Sequence, residues 1–425
     1  MRTEKTEVLV VGAGPVGLFT ALQLAARGID TTIIEREGQT SAHSYACALH
    51  QSTLALLEQF GLIDDALENG HRIDTVAFYE GTHRRAEVRL SEINAAFPFI
   101  VVVPQYWLED ALAKALEKAG VKVRWQHRFH SFKTMTDNLR VNVEKLGGSG
   151  FGYGVPHWES LVTKEIAIDA QYIIGADGPN STIRRAGNFE VKRFGPAQFF
   201  MIYEFETDEI LEEARVVMRT NSTDVLWPLP GGRGRWTFQL APTAQWGDFP
   251  EKEREHVYLN EGKVEEKICF YARQIARDRA PWFTGAIKDV VWRTPVQFDP
   301  HIVSELGRDR CWLVGDAAHQ TMPFGMQSMN AGLQESKVLT DALYKILRED
   351  GPVFLLRDYS DQTTRGWSEL LDSQSIHLHR SAGGWVRQHC ARIVSCIPAL
   401  SRDLETAVEQ LRFSVSPAVI TVCHE

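Results

Sequence analysis

Glu7 to Val11 (EVLVV) is an apolar run of strand length, and Val16 to Ala26 (VGLFTALQLAA) reads as a buried helix. Gly12, Gly14 and Gly17 stand between them, and Thr31 to Ile34 (TTII) supplies a second strand. The chain therefore opens as strand, glycine turn, helix, strand. A helix at Thr53–Gln59, stopped by Gly61, continues the unit. Strand-like alternation then appears at Ile73–Tyr79 and Ala86–Leu90 about a turn at Gly81, a hairpin that breaks the strand–helix rhythm. Val101–Val103 restores it, followed by a predicted helix over Trp107–Ala119, a stop at Gly120 and a strand at Val121–Trp125.

Two polar, alternating strands, Arg140–Lys145 and Glu165–Ala170, flank the glycine-rich Gly147–Gly154. No helix follows those glycines, so they read as a hairpin loop and not as a phosphate cradle. Tyr172 to Gly178 (YIIGADG) is a buried-looking strand running into Asp177–Gly178, with Ser181 and Arg184 just beyond. From Phe199 to about Val291 the pattern is mostly strand and turn, including two strands about a Pro/Gly turn in Val225–Leu240, with one helical stretch at Val264–Arg277. Arg310–Val314 forms a strand ending at Gly315–Asp316. A long helix over about Gln327–Arg348 follows, and Val353 onward is largely helical.

These elements predict an α/β chain. A discontinuous Rossmann-like nucleotide domain (1–72, 100–185, 292–350) is interleaved with a β-sheet substrate domain (73–99, 186–291), and a helical C-terminal region covers 351–425. At 425 residues, 44% apolar and 10% aromatic, the chain is long enough for two or three domains and is not disordered. With 46 basic against 55 acidic side chains, a net charge of −9 and no long basic run, nucleic acid is not an expected partner. The start passes straight into the first strand and no apolar stretch has membrane-helix length, so neither a signal peptide nor a membrane span is expected and the location reads as cytoplasmic. Six scattered cysteines without a C-x-x-C read as reduced, structural thiols, and no metal-ligand spacing is present.

The glycines carry chemistry. Gly12 permits a tight turn, Gly14 lets backbone amides approach a pyrophosphate, and Gly17 lets helix and strand pack closely, so a diphosphate sits at the positive end of the helix. Glu35, at the end of the second strand, stands where a carboxylate meets an adenosine ribose. A dinucleotide is implied, NAD and FAD both remaining open on this motif alone.

Three ordered motifs, VVGAGPVGL with Glu35, GADGPNSTIRR, and VGDAAHQTMPFGMQSMNAG, resemble the class A FAD-dependent aromatic monooxygenases, the para-hydroxybenzoate hydroxylase-like family, over roughly residues 5 to 350. The resemblance implies one non-covalent FAD between the first and third motifs and NAD(P)H as a transient co-substrate without a Rossmann domain of its own. It also implies a flavin C4a-hydroperoxide that passes an oxygen atom of O₂ to an electron-rich ring. By position it implies FAD contacts from Gly12, Gly14, Pro15, Val16, Gly17, Glu35, Arg36, Tyr45 and Gln105. Further contacts are implied for Asp177, Gly178, Gly315, Asp316 and the run Gly325, Met326, Gln327, Ser328, Met329 and Asn330. Tyr45–Ala46 stands where many relatives have Arg-Ala, and Gly325–Ser328 (GMQS) replaces Gly-Gly-Gln-Gly.

Pro323 and Gly325 are expected against the flavin ring, with the amides at the start of the long helix facing negative charge on the reduced flavin. His43 is a candidate proton relay. Tyr203, Trp227 and Gln239 are candidate walls of an aromatic substrate pocket. The expected activity is hydroxylation of an aromatic or polyketide-like small molecule by a monomer or homodimer. Its rivals are another flavin redox outcome, namely epoxidation, oxidative decarboxylation or dehydrogenation, and a flavin-fold lipid or prenyl binder without turnover.

Overall fold

In the computed structural model, which describes residues 3–40, 48–93, 95–148, 160–241, 262–371 and 384–411, the first apolar run forms the strand Glu4–Val11. Val8, Leu9 and Val10 have no solvent exposure, as expected of a strand inside a parallel sheet covered on both faces. It pairs in parallel with Thr31–Ile34 on one side and with Ser160–Gly175 on the other, and the latter pairs in parallel with Cys311–Leu313. The ends of three strands, Val11, Gly175 and Leu313, are thereby set side by side. Each precedes one of the glycine-containing motifs.

Gly12 adopts φ +107°, and a Cβ there would lie 2.3 Å from the Ala176 carbonyl oxygen. A Cβ at Gly17 would lie 2.0 Å from the Gly12 oxygen. Both positions exclude a side chain, because the first turn is pressed against the second motif and against its own helix, Pro15–Ala25.

Two expectations about this sheet are revised. Val121–Trp125 is not a full strand: a single parallel bridge joins Arg124 to Ile34, and Gln126, at φ +58°, turns the chain away. The separate strands expected at Glu165–Ala170 and Tyr172–Gly175 are one strand, Ser160–Gly175. Its polar half pairs antiparallel with Leu139–Gly148, and its apolar half enters the parallel core.

The second sheet runs in the order Val290–Phe298, Gln198–Glu206, Arg233–Gln239, Thr223–Leu229, Ala214–Met218, Thr75–Glu80, His83–Arg89. The hairpin about Gly81 thus joins the strands from after residue 190. Side-chain alternation gives this sheet two apolar faces. One carries Met201, Tyr203, Trp236 and Phe238 and packs against the helix Gly262–Arg279; the other carries Phe200, Ile202, Trp227 and Val296. Phe324 and Met326, and Ile393, Cys396 and Ile397 from in and just after the helix Cys390–Cys396, pack on that second face. The C-terminal helices are divided between the cores, since Leu356, Tyr359 and Trp367 of Phe354–Leu371 pack on the parallel-sheet core. Among the described residues no helix is long and apolar enough to cross a membrane.

Candidate active site

A cavity of about 850 Å³ lies where the two sheets meet. The first motif contributes Gly14, Pro15 and Val16 to its wall, the second Ala176 and Gly178, and the third Val314 and Asp316. Pro323 and Met326–Met329 close it at the start of the long helix Gln327–Arg348, and Gln105 borders it from the N-terminus of its own helix, Gln105–Lys118. Residues far apart in sequence are brought together here as the strand ends require.

Gly14 has no heavy atom within 4 Å of where its Cβ would stand. That open space beside the first turn of Pro15–Ala25, whose amides lack partners within the helix, is a cradle for an anionic group. Glu35 accepts a hydrogen bond from the Ala13 N–H at 2.7 Å, which holds the acid at the edge of the glycine turn. Arg36 is exposed and pairs with Glu37 at 3.0 Å, away from the cavity wall. His43 and Tyr45 lie outside the described residues.

Asp177 is committed to its own segment. One carboxylate oxygen accepts from Ser181 Oγ at 2.5 Å, and the other from the Thr182 N–H at 2.6 Å and Thr182 Oγ1 at 2.7 Å, so the group braces the N-cap Ser181 and the first turn of the short helix Thr182–Ala186. Its neighbours Ala176 and Gly178, by contrast, face the cavity. Arg184 ties the second motif to the third by donating to the carbonyls of Pro179 and Ala317 at 2.6 and 2.9 Å.

Asp316 is half-buried at the cavity wall, and its carboxylate accepts no hydrogen bond from a described residue. Burial pushes its pKa up to about 6, with His319 opposing and Glu335 adding to the shift. A carboxylate in that state needs a donor such as a sugar or polyol hydroxyl. Behind it Glu335 gathers three donors: His319 Nε2 at 2.7 Å, Trp367 Nε1, and the Gly315 N–H at 3.3 Å. The His319 and Trp367 rings stack with centroids 3.9 Å apart.

The loop before the long helix is pinned from behind. Met326 has φ +53°, the Ser328 hydroxyl accepts from the Thr321 N–H at 3.0 Å, and Asn330 donates to the carbonyls of Met326 and Ala48 at 2.7 and 2.8 Å. Gly325 departs from its expected position. A Cβ there would lie 2.8 Å from the carbonyl oxygens of Ser395 and Ile397, so this glycine is the contact surface for the helix Cys390–Cys396 and not part of the cavity wall. The Gln327 amide donates to the Ile397 carbonyl at 3.2 Å across the same contact.

Of the three expected substrate-wall residues, Tyr203 lies on the face that packs against Gly262–Arg279, opposite the cavity side. Trp227 is on the cavity side and fully buried. Gln239 is used at the strand end, accepting from the Thr223 N–H at 2.7 Å and donating to Gln198 at 2.6 Å. His50, Glu335 and Trp367 were not legible as functional residues. His50 falls three places before the predicted Thr53 helix, and no spacing pattern marks either of the others.

The open cradle at Gly14, the donor-seeking Asp316 and the helix start at 327–329 fit the diphosphate, ribityl and ring portions of FAD. A family model described as "FAD binding domain" matches residues 5–373. The chain is 23% identical over 373 residues to rifampicin monooxygenase from Rhodococcus hoagii, covering 87% of this chain and 70% of that protein. It is 25% identical over 372 residues to 6-methylpretetramide 4-monooxygenase from Streptomyces rimosus, spanning 86% of this chain and 60% of that one. The crystal structure of p-nitrophenol 4-monooxygenase PnpA from Pseudomonas putida DLL-E4 superimposes with a TM-score of 0.74 at 21% identity, covering 96% of this chain and 97% of that chain, which establishes the shared fold. The chain belongs to the FAD-binding domain family, among the class A FAD-dependent aromatic monooxygenases.

Proposed function

We propose that this protein uses NAD(P)H, O₂ and non-covalent FAD to hydroxylate an aromatic or polyketide-like small molecule. Residues 1–72, 100–185 and 299–350 hold the cofactor in this reading, and 73–99 with 186–298 hold the substrate; the boundary expected at 292 moves because Val290–Phe298 is one strand of the second sheet. The observation that carries it is one cavity of about 850 Å³ onto which all three motifs open, with an Asp316 carboxylate in its wall that accepts no hydrogen bond from a described residue. When bound, FAD supplies the transfer of one oxygen atom from O₂ after reduction by the nicotinamide.

The chain's own residues bind, orient and exclude water. Gly14 and the first turn of Pro15–Ala25 receive the diphosphate, and Asp316 accepts a ribityl hydroxyl. The backbone N–H groups of 327–329 offer partial positive charge to the flavin edge, held in place by His50 and Asn330. The apolar face of the second sheet, with Val296, Phe324 and Met326, gives a ring a dry surface.

The test is a screen of phenols and fused aromatics for stimulated NAD(P)H oxidation, followed by mass analysis of product made under ¹⁸O₂. One labelled oxygen per product supports hydroxylation. Unlabelled product short of two hydrogens, formed with the substrate itself reducing the flavin and no NAD(P)H consumed, points to dehydrogenation, and neither stimulation nor product across the screen sinks the enzymatic reading.

A further inference from the structure

Asp299 precedes the strand His301–Val303 and turns each of its polar groups to a different neighbour. Its N–H donates to Gln320 Oε1 at 2.8 Å, its carbonyl oxygen accepts from His301 Nδ1 at 2.6 Å, and its carboxylate accepts from Arg193 Nε at 3.1 Å. The three partners form one row across the sheet of Val191–Arg193, His301–Val303 and His319–Gln320, where Arg193 pairs with His301 and His301 with Gln320. Directly opposed residues of antiparallel strands point to one face, with Cβ atoms about 4.5–5.5 Å apart. All three line the cavity of about 850 Å³, as does Asp299 itself.

Each of these bonds fixes what the partner has left to offer the cavity. A carbonyl only accepts, so the His301 proton sits on Nδ1 and Nε2 is an acceptor. Burial lowers the pKa of this ring, the Asp299 bond opposing and Arg184 adding to the shift, which keeps it neutral. His301 is 5% exposed, and its Nε2 has no hydrogen-bond partner. Gln320 is equally buried and has its oxygen taken by the Asp299 N–H, so its NH₂ is left to donate. Arg193 is the open end of the row, its side chain 63% exposed. From the interior to the rim the row therefore reads amide donor, imidazole acceptor, cation. Gln320 leads directly into Thr321, whose N–H donates to Ser328 Oγ at the start of the long helix.

We propose that this row docks the dihydronicotinamide of NAD(P)H: Gln320 donates to the carboxamide oxygen, His301 Nε2 accepts from the carboxamide NH₂, and Arg193 meets the phosphates at the rim. The inference rests on the flavin reading for the use of a nicotinamide reductant and deepens it by naming the residues that receive it. A ligand that satisfies the buried pair carries an acceptor beside a hydrogen-bond donor. A carboxylate or a ketone has no hydrogen to give Nε2, whereas a primary carboxamide has both groups. The imide edge of the flavin ring has both as well, but FAD has its own diphosphate cradle at Gly14. An exposed cation at the open end of the row suits a phosphate-bearing partner that enters from solvent and leaves again.

The test uses the purified FAD-loaded protein and two readouts. Calorimetric titration with 1,4,5,6-tetrahydro-NADH and tetrahydro-NADPH, which keep the carboxamide but transfer no hydride, gives affinity without turnover. Anaerobic bleaching of the bound flavin gives dissociation constants for NADH and NADPH and for their 3-acetylpyridine forms, in which a methyl group replaces the carboxamide NH₂. The parent should bind at least one tetrahydro nucleotide, and should hold the matching acetylpyridine form fivefold or more weakly than the natural one. His301→Asn can still donate to the Asp299 carbonyl but withdraws the acceptor, so it should lose fivefold or more in tetrahydro nucleotide affinity and hold natural and acetylpyridine forms equally. His301→Gln returns an oxygen toward the Nε2 position and should recover part of that loss. The proposal is overturned if the parent binds neither tetrahydro nucleotide, if it holds the acetylpyridine form as tightly as the natural one, or if His301→Asn keeps the parent's affinity. A His301→Asn variant that loses FAD while keeping nucleotide affinity would give the row to the flavin edge instead. FAD content of each sample, read by absorbance, tests the flavin reading separately: tetrahydro nucleotide binding that depends on His301 in protein without FAD would defeat that reading and leave this site standing.

Discussion

The Nε2–H of His50 donates to the carbonyl oxygen of Gly325 at 2.8 Å, across 275 residues of sequence, with the imidazole wholly buried. The same residue's backbone N–H donates to Asn330 Oδ1 at 2.9 Å, so one segment clamps both ends of the loop that opens the long helix. Burial lowers the His50 pKa from 6.5 to about 3, the Gly325 bond opposing. The folded state thus binds fewer protons than the unfolded one between those values. Its contribution is fully present above pH 6.5 and is lost as pH falls toward 3, by up to about 1.4 kcal/mol per pH unit. Asp316 and Asp224, both raised to about 6, act in the opposite sense between roughly pH 4 and 6. The His50 effect is therefore read as a difference: the gap in unfolding free energy between the parent and His50→Gln should narrow steadily from pH 7 to pH 4. A gap independent of pH would show that the imidazole is not buried neutral.

Gly14 and Gly325 separate cofactor space from packing space. Gly14→Ala fills an open cradle and should leave stability within about 0.5 kcal/mol of the parent. FAD affinity should nevertheless fall by about tenfold or more, some 1.4 kcal/mol. Gly325→Val instead meets the Ser395 and Ile397 carbonyls and should destabilise the fold by about 1–3 kcal/mol. Denaturant titrations paired with FAD titrations check both, and a reversal of the two phenotypes would misplace the site.

The two motif aspartates should likewise divide. Asp316→Ala removes an acceptor with no donor among the described residues and should weaken FAD binding by about 1.5–3 kcal/mol with little change in apoprotein stability. Asp177→Ala removes the acceptor of the Thr182 N–H and hydroxyl at the start of a helix and should lower stability by about 0.5–2 kcal/mol. Equal effects of the two changes on FAD affinity would contradict this division.

Much of this was readable in the chain because it is local. The glycine spacing, the strand–helix–strand pattern and the helix Gln327–Arg348 each depend on neighbours in sequence, and they appear where periodicity puts them. The hairpin about Gly81 was legible as a departure, though its partner Ala214–Met218 was not. What sequence did not show depends on tertiary packing. Val121–Trp125 has the composition of a strand but sits at a sheet edge where Gln126 turns away. Tyr203 and Trp227 look equally suited to a pocket, and only strand register assigns them to opposite faces. Pro323 and the long helix beginning just beyond suggested a ring contact for Gly325, whereas the space this glycine leaves is taken by a helix more than sixty residues later.

Glu335 is the acceptor on which the third motif leans. Glu335→Gln leaves one amide oxygen for three donors and sets an NH₂ among them, so stability should fall by about 1–3 kcal/mol. Trp367, stacked on His319, should shift its fluorescence in the folded variant. Unchanged stability would mean that the carboxylate is not the hub of these contacts.

On the proposed function, the cavity beneath the three motifs holds one FAD without a covalent bond. Acid precipitation of the purified protein, with quantitation of the released flavin, tests it most directly. Close to one FAD per chain should appear in the supernatant, above a colourless pellet. Flavin retained in the pellet, or a colourless protein that cannot be reconstituted with FAD, would contradict it.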